Sequence, residues 1–305
     1  VAGSRKVEVD GRELTLTNLD KVLYPEVGFT KGEVVDYYAK VAPAIVPHLQ
    51  GRALTLRRFP EGVDDTDAAF FEKRCPKHRP KWVRTTRVLA GPRSGYIDYC
   101  VCEDLPTLVW MAQLAAIELH PSLSLGRKHE QPTVLAFDLD PGPPAEIIDC
   151  CRVAVRLREV LEHFGVECFA KTSGSKGMQI YVPLNTRTSY EETRPFAQAI
   201  AQLLQKQTPD LVIAKMGKKT HRKGKVFIDW YQNNERKTTI AVYSLRARER
   251  PTVSTPLAWD EVERALEHED ADSLVFEAGD VLKRVERDGD LFAPVLELRQ
   301  ELPEL

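Results

Sequence analysis

The sequence predicts an α+β fold, and three observations lead there. Helix-period and strand-period segments are both frequent. They are mixed along the chain without a steady βαβ alternation. Apolar residues make up 43% of the 305 residues, enough for a substantial core. The elements follow in order. Val7-Glu8-Val9, then Asp10-Gly11, then Glu13 to Leu16 read as a hairpin, because Asp-Gly between alternating strands is a strong turn signal. Thr30 and Glu33 form a capping box, and the helix behind it carries apolar residues at Val34, Tyr38, Val41 and Ile45. Residues 53–59 and 96–102 read as strands, and 104–119 as a mostly apolar, buried helix. Residues 134–140 form a buried strand that ends in two acids. A helix over 146–164, strands at 166–170 and 178–182, and a helix over 190–207 come next. Strands at 225–229 and 239–243 and two weaker helices, 260–267 and 279–287, close the chain.

No internal repeat and no long linker divides the sequence, so a single domain over residues 1–305 is expected, with an acidic segment at 260–305. That segment holds 15 Asp/Glu and 5 Lys/Arg, a net of −10, while residues 1–259 hold 38 Lys/Arg and 30 Asp/Glu, a net of +8. The first part can therefore face a polyanion. No apolar run approaches the roughly 18 residues that would span a bilayer, and the first residues lack a secretory apolar core. Six cysteines in a chain this long do not suggest a disulfide framework. Cys150 and Cys151 are adjacent, Cys100 and Cys102 are two apart, and neither pair suits a bridge. Buried reduced thiols in a cytosolic protein are expected.

Asp138 and Asp140 carry the first chemical signal. Residues i and i+2 of a strand share a face, and two adjacent carboxylates need a cation or a shared proton. Hard divalent ions such as magnesium or manganese suit them. The alternative is an exposed strand end before a Pro-Gly turn. Asp229 closes the apolar run 226–228 and can be a third metal ligand or, again, a turn residue. Two ions so held would clamp the oxygens of a phosphoryl transfer. Residues 172–177 (TSGSKG) lie between two expected strands, and their glycines, Ser173 and Lys176 suit a phosphate, although a plain turn reads the same way. The run 215–225 has six Lys/Arg, one His and no acid, and leads into the Asp229 strand. It is either a solvated loop or a polyanion contact. Phe70 and Phe71 can pack in a core or stack on a base. Cys75, His78, Cys100 and Cys102 can be read as a zinc set, but the second half lacks the usual spacer. His120 ends the apolar helix before Pro121 and faces its dipole or a substrate.

Taken together, these motifs resemble the primase-polymerase domain of bacterial DNA ligase D and its stand-alone relatives, in the archaeal-eukaryotic primase superfamily. The matching stretches are residues 16–25 (LTNLDKVLYP), 70–73 (FFEK), 118–120 (ELH), 137–142 (FDLDPG), 172–177 (TSGSKG), 225–230 (KVFIDW) and 243–246 (YSLR). The resemblance implies a catalytic cleft between two β-sheet layers flanked by helices. It implies a DNA-dependent nucleotidyltransferase that extends a primer with NTPs, less readily dNTPs, and fills short gaps. By the same resemblance, Asp138, Asp140 and Asp229 hold two Mn2+ or Mg2+ ions, and Ser173, Lys176 and His120 grip the triphosphate. Gln232 and Arg246 lie near the nucleotide, Lys21 and Lys31 hold a downstream 5′-phosphate, and Phe70 and Phe71 order the template and the incoming base. Arg222 sits in the loop before the third acid. The partners implied are gapped or broken DNA, a DNA ligase and a Ku-type end-binding protein, in a monomeric, cytoplasmic, nucleoid-associated bacterial chain. No ligase or phosphoesterase module follows the motifs, so end joining and excision repair both stay open. Two other classes compete: a non-catalytic nucleic-acid-binding module and a two-metal nuclease. The acid triad beside a basic loop speaks against the first, and the Ser173/Lys176 turn against the second.

Overall fold

The computed structural model describes residues 3–91, 95–215, 217 and 222–303. Helices and sheets are mixed, as an α+β fold requires, and the chain forms two compact units. The first contains Val1–Ser122, Thr238–Val253 and Glu277–Asp290; the second contains Leu123–Lys237, Ser254–Phe276 and Leu291–Leu305. Among the described residues, no helix is long and apolar enough to cross a membrane.

The first unit opens with the hairpin of β1 (Ser4–Val9) and β2 (Arg12–Thr17). Asp10 and Gly11 take φ of 47° and 73°, the left-handed pair that a type I′ turn requires. Strands β3 (Val22–Tyr24) and β4 (Phe29–Thr30) pair ahead of α1 (Lys31–Leu49). The capping box forms: the Glu33 N–H donates to Thr30 Oγ1 at 3.2 Å, and the Thr30 N–H to Glu33 Oε2 at 2.7 Å. Val34, Tyr38, Val41 and Ile45 are fully buried, as the helical spacing predicts. Strands β5 (Arg52–Arg58), β6 (Phe70–Glu72), β7 (Thr85–Gly91) and β8 (Gly95–Cys100) form a sheet in the order β6-β5-β8-β7. The segments 238–253 and 277–290 rejoin this unit through polar ties. Asp290 accepts a hydrogen bond from the Tyr243 hydroxyl (2.7 Å) and lies 2.8 Å from His48 Nε2.

Three expectations need correction here. The helix expected over 104–119 splits into α2 (Leu105–Gln113) and a strand, β9 (Ala116–Leu125), which also pairs with β5. Ala115 takes a φ of 55° at the break, so the chain turns without a glycine or proline to announce it. His120 therefore lies on a strand and not at a helix end. Residues 239–243 form no regular strand, although the Thr239 and Ala241 amides donate to the Pro121 and Leu119 carbonyls (3.3 and 2.9 Å). Tyr243 then takes a φ of 64°, which ends the run. Finally, Cys75 and Cys100 form a disulfide between residues 25 apart, so not all six thiols are reduced and these two cannot serve zinc. The other four cysteines are buried free thiols, and burial pushes Cys151 and Cys168 up to about 12.

The second unit is built on a six-stranded sheet. Its strands are β10 (Val134–Pro141), β11 (Phe169–Thr172), β12 (Met178–Pro183), β13 (Val212–Ile213), β14 (Val226–Asp229) and β15 (Pro256–Leu257), in the order β13-β14-β10-β12-β11-β15. Helices α3 (Ile147–His163) and α4 (Tyr190–Gln207) bury Val153, Leu157, Phe196 and Ile200 against Leu135, Phe137, Leu139 and Ile228. Each such side chain contributes about 1.5–3 kcal/mol. This packing decides where the acids go. Leu135, Phe137 and Leu139 take the core face, so the period of two turns Asp138 and Asp140 to the other face. Val226 and Ile228 do the same for Phe227 and Asp229.

Candidate active site

In the second unit, the register gathers the acids. Asp138 on β10 pairs with Asp229 on β14 on one side and with Gln179 on β12 on the other. Gln179 in turn pairs with Lys171 on β11. Four neighbouring strands thus carry one polar row, Lys171–Gln179–Asp138–Asp229, with Asp140 two residues along β10. The Gln179 Nε2–H donates to Asp138 Oδ1 at 3.1 Å. Lys171 is fully buried, and its ammonium donates to Ser254 Oγ at 2.7 Å. Asp229 accepts from the Tyr231 N–H (3.0 Å) and from Gln232 Nε2 (2.9 Å). Arg222 Nη1 donates to Asp140 Oδ2 at 2.9 Å, and the guanidinium lies over the Phe227 ring at 3.7 Å. Asn233 locks the turn after Asp229 onto the sheet. Its side-chain amide donates to the Ala136 carbonyl and accepts the Ala136 N–H, at 2.7 and 2.9 Å, in the manner of a strand neighbour.

The charges in this row are costly. Burial, with the Asp229 and Asp140 carboxylates adding to it, pushes Asp138 up to about 6 against the donation from Gln179. Burial also raises Asp229, against the Tyr231 and Gln232 donors. A pair of such groups favours a bound cation, and carboxylate oxygens are the donors that hard divalent ions take. The donor chemistry therefore fits magnesium or manganese. Each acid is engaged by a protein donor, and no closed group of three ligands stands ready among the described residues.

The turn between β11 and β12 lies beside the row. Ser173 Oγ accepts the Ser175 and Gly177 N–H groups, both at 3.2 Å, and the Ser173 N–H donates to the Gly177 carbonyl at 2.8 Å. Lys176 is exposed at its tip. Two glycines set the packing. A methyl at Gly177 would overlap the Leu139 carbonyl oxygen, between the two acids of β10, and one at Gly142 would overlap the Arg222 carbonyl. The second contact draws Arg222 to the end of β10. Of the basic run 215–225, residues 216 and 218–221 lie outside the described residues.

In the first unit, β9 places Glu118 and His120 on one face. The Glu118 carboxylate is buried. Its Oε2 lies 3.0 Å from His120 Nε2 and accepts from Arg57 Nη1 at 3.3 Å; its Oε1 accepts the Ala247 N–H at 3.1 Å and lies 3.2 Å from Arg246 Nε. Burial favours the neutral acid. The His120 hydrogen bond and the Arg246 and Arg57 charges outweigh it and hold Glu118 at about 2. Burial lowers His120 below the ordinary histidine range despite the carboxylate beside it. Phe71 stands 58% exposed on β6, its ring 5.6 Å from the His120 ring and under Arg57 at 5.3 Å. Phe70 is also exposed, with Arg58 over its ring.

Lys31 is not a solvated surface lysine. Its side chain is buried, and its ammonium donates to the Thr17 carbonyl at 2.8 Å. Burial, then the neighbouring Lys21 and Arg58 charges, lower it to about 8. Lys21 pairs with Glu61 at 2.6 Å. The expected site residues thus fall into sets: Asp138, Asp140, Arg222, Asp229 and Gln232 beside the Ser173–Lys176 turn in the second unit, and His120, Arg246 and Phe71 in the first, with Lys21 near Lys31. Arg57, Lys171 and Gln179 escaped the sequence reading, and Glu118 entered it only within the stretch 118–120, with no role of its own. For Glu118 a signal existed, since Glu-Leu-His on a strand puts its outer residues on one face.

The second unit thus carries three carboxylates on the face of its sheet opposite α3 and α4. The family model of the LigD primase-polymerase domain matches residues 30–292. The multifunctional non-homologous end joining protein LigD of Mycolicibacterium smegmatis is 42% identical over 92% of this chain and 36% of its own length. The bifunctional non-homologous end joining protein LigD of Bacillus subtilis is 33% identical over 91% of this chain and 43% of its own. A solved structure of the polymerase domain from Mycobacterium tuberculosis Ligase D in complex with DNA matches with a TM-score of 0.85 at 39% identity, covering 94% of this chain and 99% of that one. The chain belongs to the LigD primase-polymerase domain family. It spans 36–43% of the length of these two curated relatives.

Proposed function

We propose that this chain is a DNA-dependent nucleotidyltransferase that extends a primer with ribonucleotides, and less readily with deoxyribonucleotides, to fill short 5′-phosphorylated gaps in DNA repair. The observation that carries the reading is the register of Asp138 against Asp229, with Asp140 on the same face. In the reaction proposed, the primer 3′-oxygen forms a bond to the α-phosphorus, the bond from that phosphorus to the β-bridging oxygen breaks, and pyrophosphate leaves. Asp138, Asp140 and Asp229 would hold two manganese or magnesium ions, which supply charge neutralisation at the reacting phosphate. Gln179 and Gln232 hold the Asp138 and Asp229 carboxylates in place. Arg222 neutralises Asp140 at 2.9 Å and would have to release that oxygen for a metal to take it. Ser173 and Lys176 contact the triphosphate, and His120 and Arg246, which belong to the first unit, carry the nucleotide-binding roles that the family resemblance implies. Phe70 and Phe71 offer exposed rings for base stacking. End joining with a Ku-type protein and a ligase is the pathway proposed, since the matching relatives are end-joining proteins by name.

The test is a gapped, 5′-phosphorylated DNA incubated with manganese and each NTP or dNTP. Template-directed addition with NTPs ahead of dNTPs is expected. A consistent dNTP preference defeats the sugar assignment, and absence of any addition defeats the polymerase reading. A second expected result concerns Lys21 and Lys31. The Lys21→Ala, Lys31→Ala double variant should weaken binding to 5′-phosphorylated gapped DNA and leave the 5′-hydroxyl version nearly unchanged. Each lost charged contact is worth about 1.5–3 kcal/mol in a partly desolvated site. Equal losses on both substrates, read by fluorescence anisotropy, would reduce the two lysines to general electrostatic attraction.

A further inference from the structure

We propose that Glu118 is a positioning residue that holds Arg57, His120 and Arg246 as one anion cradle for the triphosphate of the incoming nucleotide. The inference rests on the polymerase reading above and adds two members, Glu118 and Arg57, to the residues it names. The three cationic or polar partners come from separate segments: Arg57 from β5, His120 from β9, and Arg246 from the loop after Tyr243. The Glu118 carboxylate is common to all of them. It is 2% exposed, while Arg57, Arg246 and His120 are 31%, 17% and 12% exposed, so the anion lies beneath and the donors reach solvent.

Within the cluster one carboxylate faces two guanidiniums, which leaves positive charge on the open side. The Arg57 guanidinium has five N–H donors in a fixed fork, and its contact to Glu118 runs through Nη1. Backbone ties fix the Arg246 segment: its N–H donates to the Thr252 carbonyl at 2.8 Å, and its carbonyl accepts the Tyr24 hydroxyl at 3.0 Å. Phe71 closes one side of the bowl against His120 and Arg57. A buried ion cluster of this kind is weak evidence for stability, since apolar filling serves a core as well. Fixed, partly exposed donors with surplus charge are what a polyphosphate needs.

The experiment has two arms. In the first, the wild-type chain is titrated with tripolyphosphate without divalent metal, and the His120 ring is followed by 1H–15N correlation spectroscopy. A saturable shift of the His120 signals is expected; an unchanged ring overturns the cradle. In the second, single-nucleotide extension is measured for Glu118→Gln and for Arg57→Lys, which keeps its charge but loses the fork. Tripolyphosphate affinity should stay within about threefold of wild type, because the cations remain, while kcat falls by about tenfold or more because they are no longer oriented. A kcat within about twofold of wild type in both variants overturns the positioning role. Should Glu118→Gln fail to fold, Arg57→Lys and the wild-type titration still decide. A wild-type chain that binds tripolyphosphate at His120 but adds no nucleotide defeats the polymerase reading alone.

Discussion

Asp138→Asn will abolish primer extension and, in the metal-free protein, raise thermal stability at neutral pH. Both effects come from one cause. Asp138 sits between the Gln179 and Asp229 registers, and burial together with two neighbouring carboxylates raises it to about 6 from 3.8. The folded chain therefore binds this proton more tightly than the unfolded chain does. Below pH 3.8 the group is neutral in both states and costs nothing. As pH rises through about 6 the folded state is forced to carry the charge, and stability falls over that window. Asparagine has no such ionisation. A tenfold difference in proton affinity between the folded and unfolded chains is worth about 1.4 kcal/mol, and partial solvent access reduces the total gain to about 1–2 kcal/mol. Extension should fall by about a thousandfold or more, roughly 4 kcal/mol of barrier, if the carboxylate holds a catalytic ion. Calorimetry in chelator at pH 4 and pH 8, beside single-turnover extension in manganese, reads both. Extension within about tenfold of wild type would remove Asp138 from the metal ligands, and a variant less stable than wild type at pH 8 would contradict the electrostatic account.

Gly177→Ala should be strongly destabilising in the second unit. The added methyl has no room against the Leu139 carbonyl oxygen, and the obstacle is backbone that cannot swing aside. Either β12 lifts from β10 at the Leu139–Met178 pair or the turn that holds Ser173 opens. A loss of about 3 kcal/mol or more is expected, with extension impaired even in the fraction that remains folded. Gly279→Ala is the matched control. That glycine lies in the helix Ala278–Asp288 with nothing near its missing methyl, and alanine there should stabilise by about 0.5–1 kcal/mol. Denaturant melts of both variants decide it: a Gly177→Ala midpoint close to wild type would mean that the strands separate more easily than the packing implies.

What sequence reveals here follows the range of the interaction. The Thr30–Glu33 cap, the Asp10-Gly11 turn and helix α4 are local, and local rules find them. Asp138 and Asp140 are legible because a strand aligns residues two apart, and Asp229 because it ends an apolar run. Their meeting across β10 and β14 is not local, nor is the Lys171–Gln179 end of the row. The segment 104–119 misleads because an apolar stretch with no glycine or proline after Pro106 reads as one element, whereas Ala115 bends it into two. That error hides Glu118, whose partnership with His120 exists only on a strand. The Cys75–Cys100 bond and the return of residues 277–290 to the first unit depend on chain paths that no spacing encodes.

The polar row on the central sheet also acts as a proofreader of its own assembly. Strand pairing tolerates many misalignments when both faces look alike, and a slip of one residue exchanges the faces of a whole strand. On β10 such a slip would drive Asp138 and Asp140 into the layer that Leu135, Phe137 and Leu139 occupy against α3 and α4. Each ion forced there would cost several kcal/mol without a partner. Misaligned sheets are thus penalised by the same carboxylates that are proposed to hold the metals, and a chain that folds in register keeps its acids on the sheet face opposite α3 and α4.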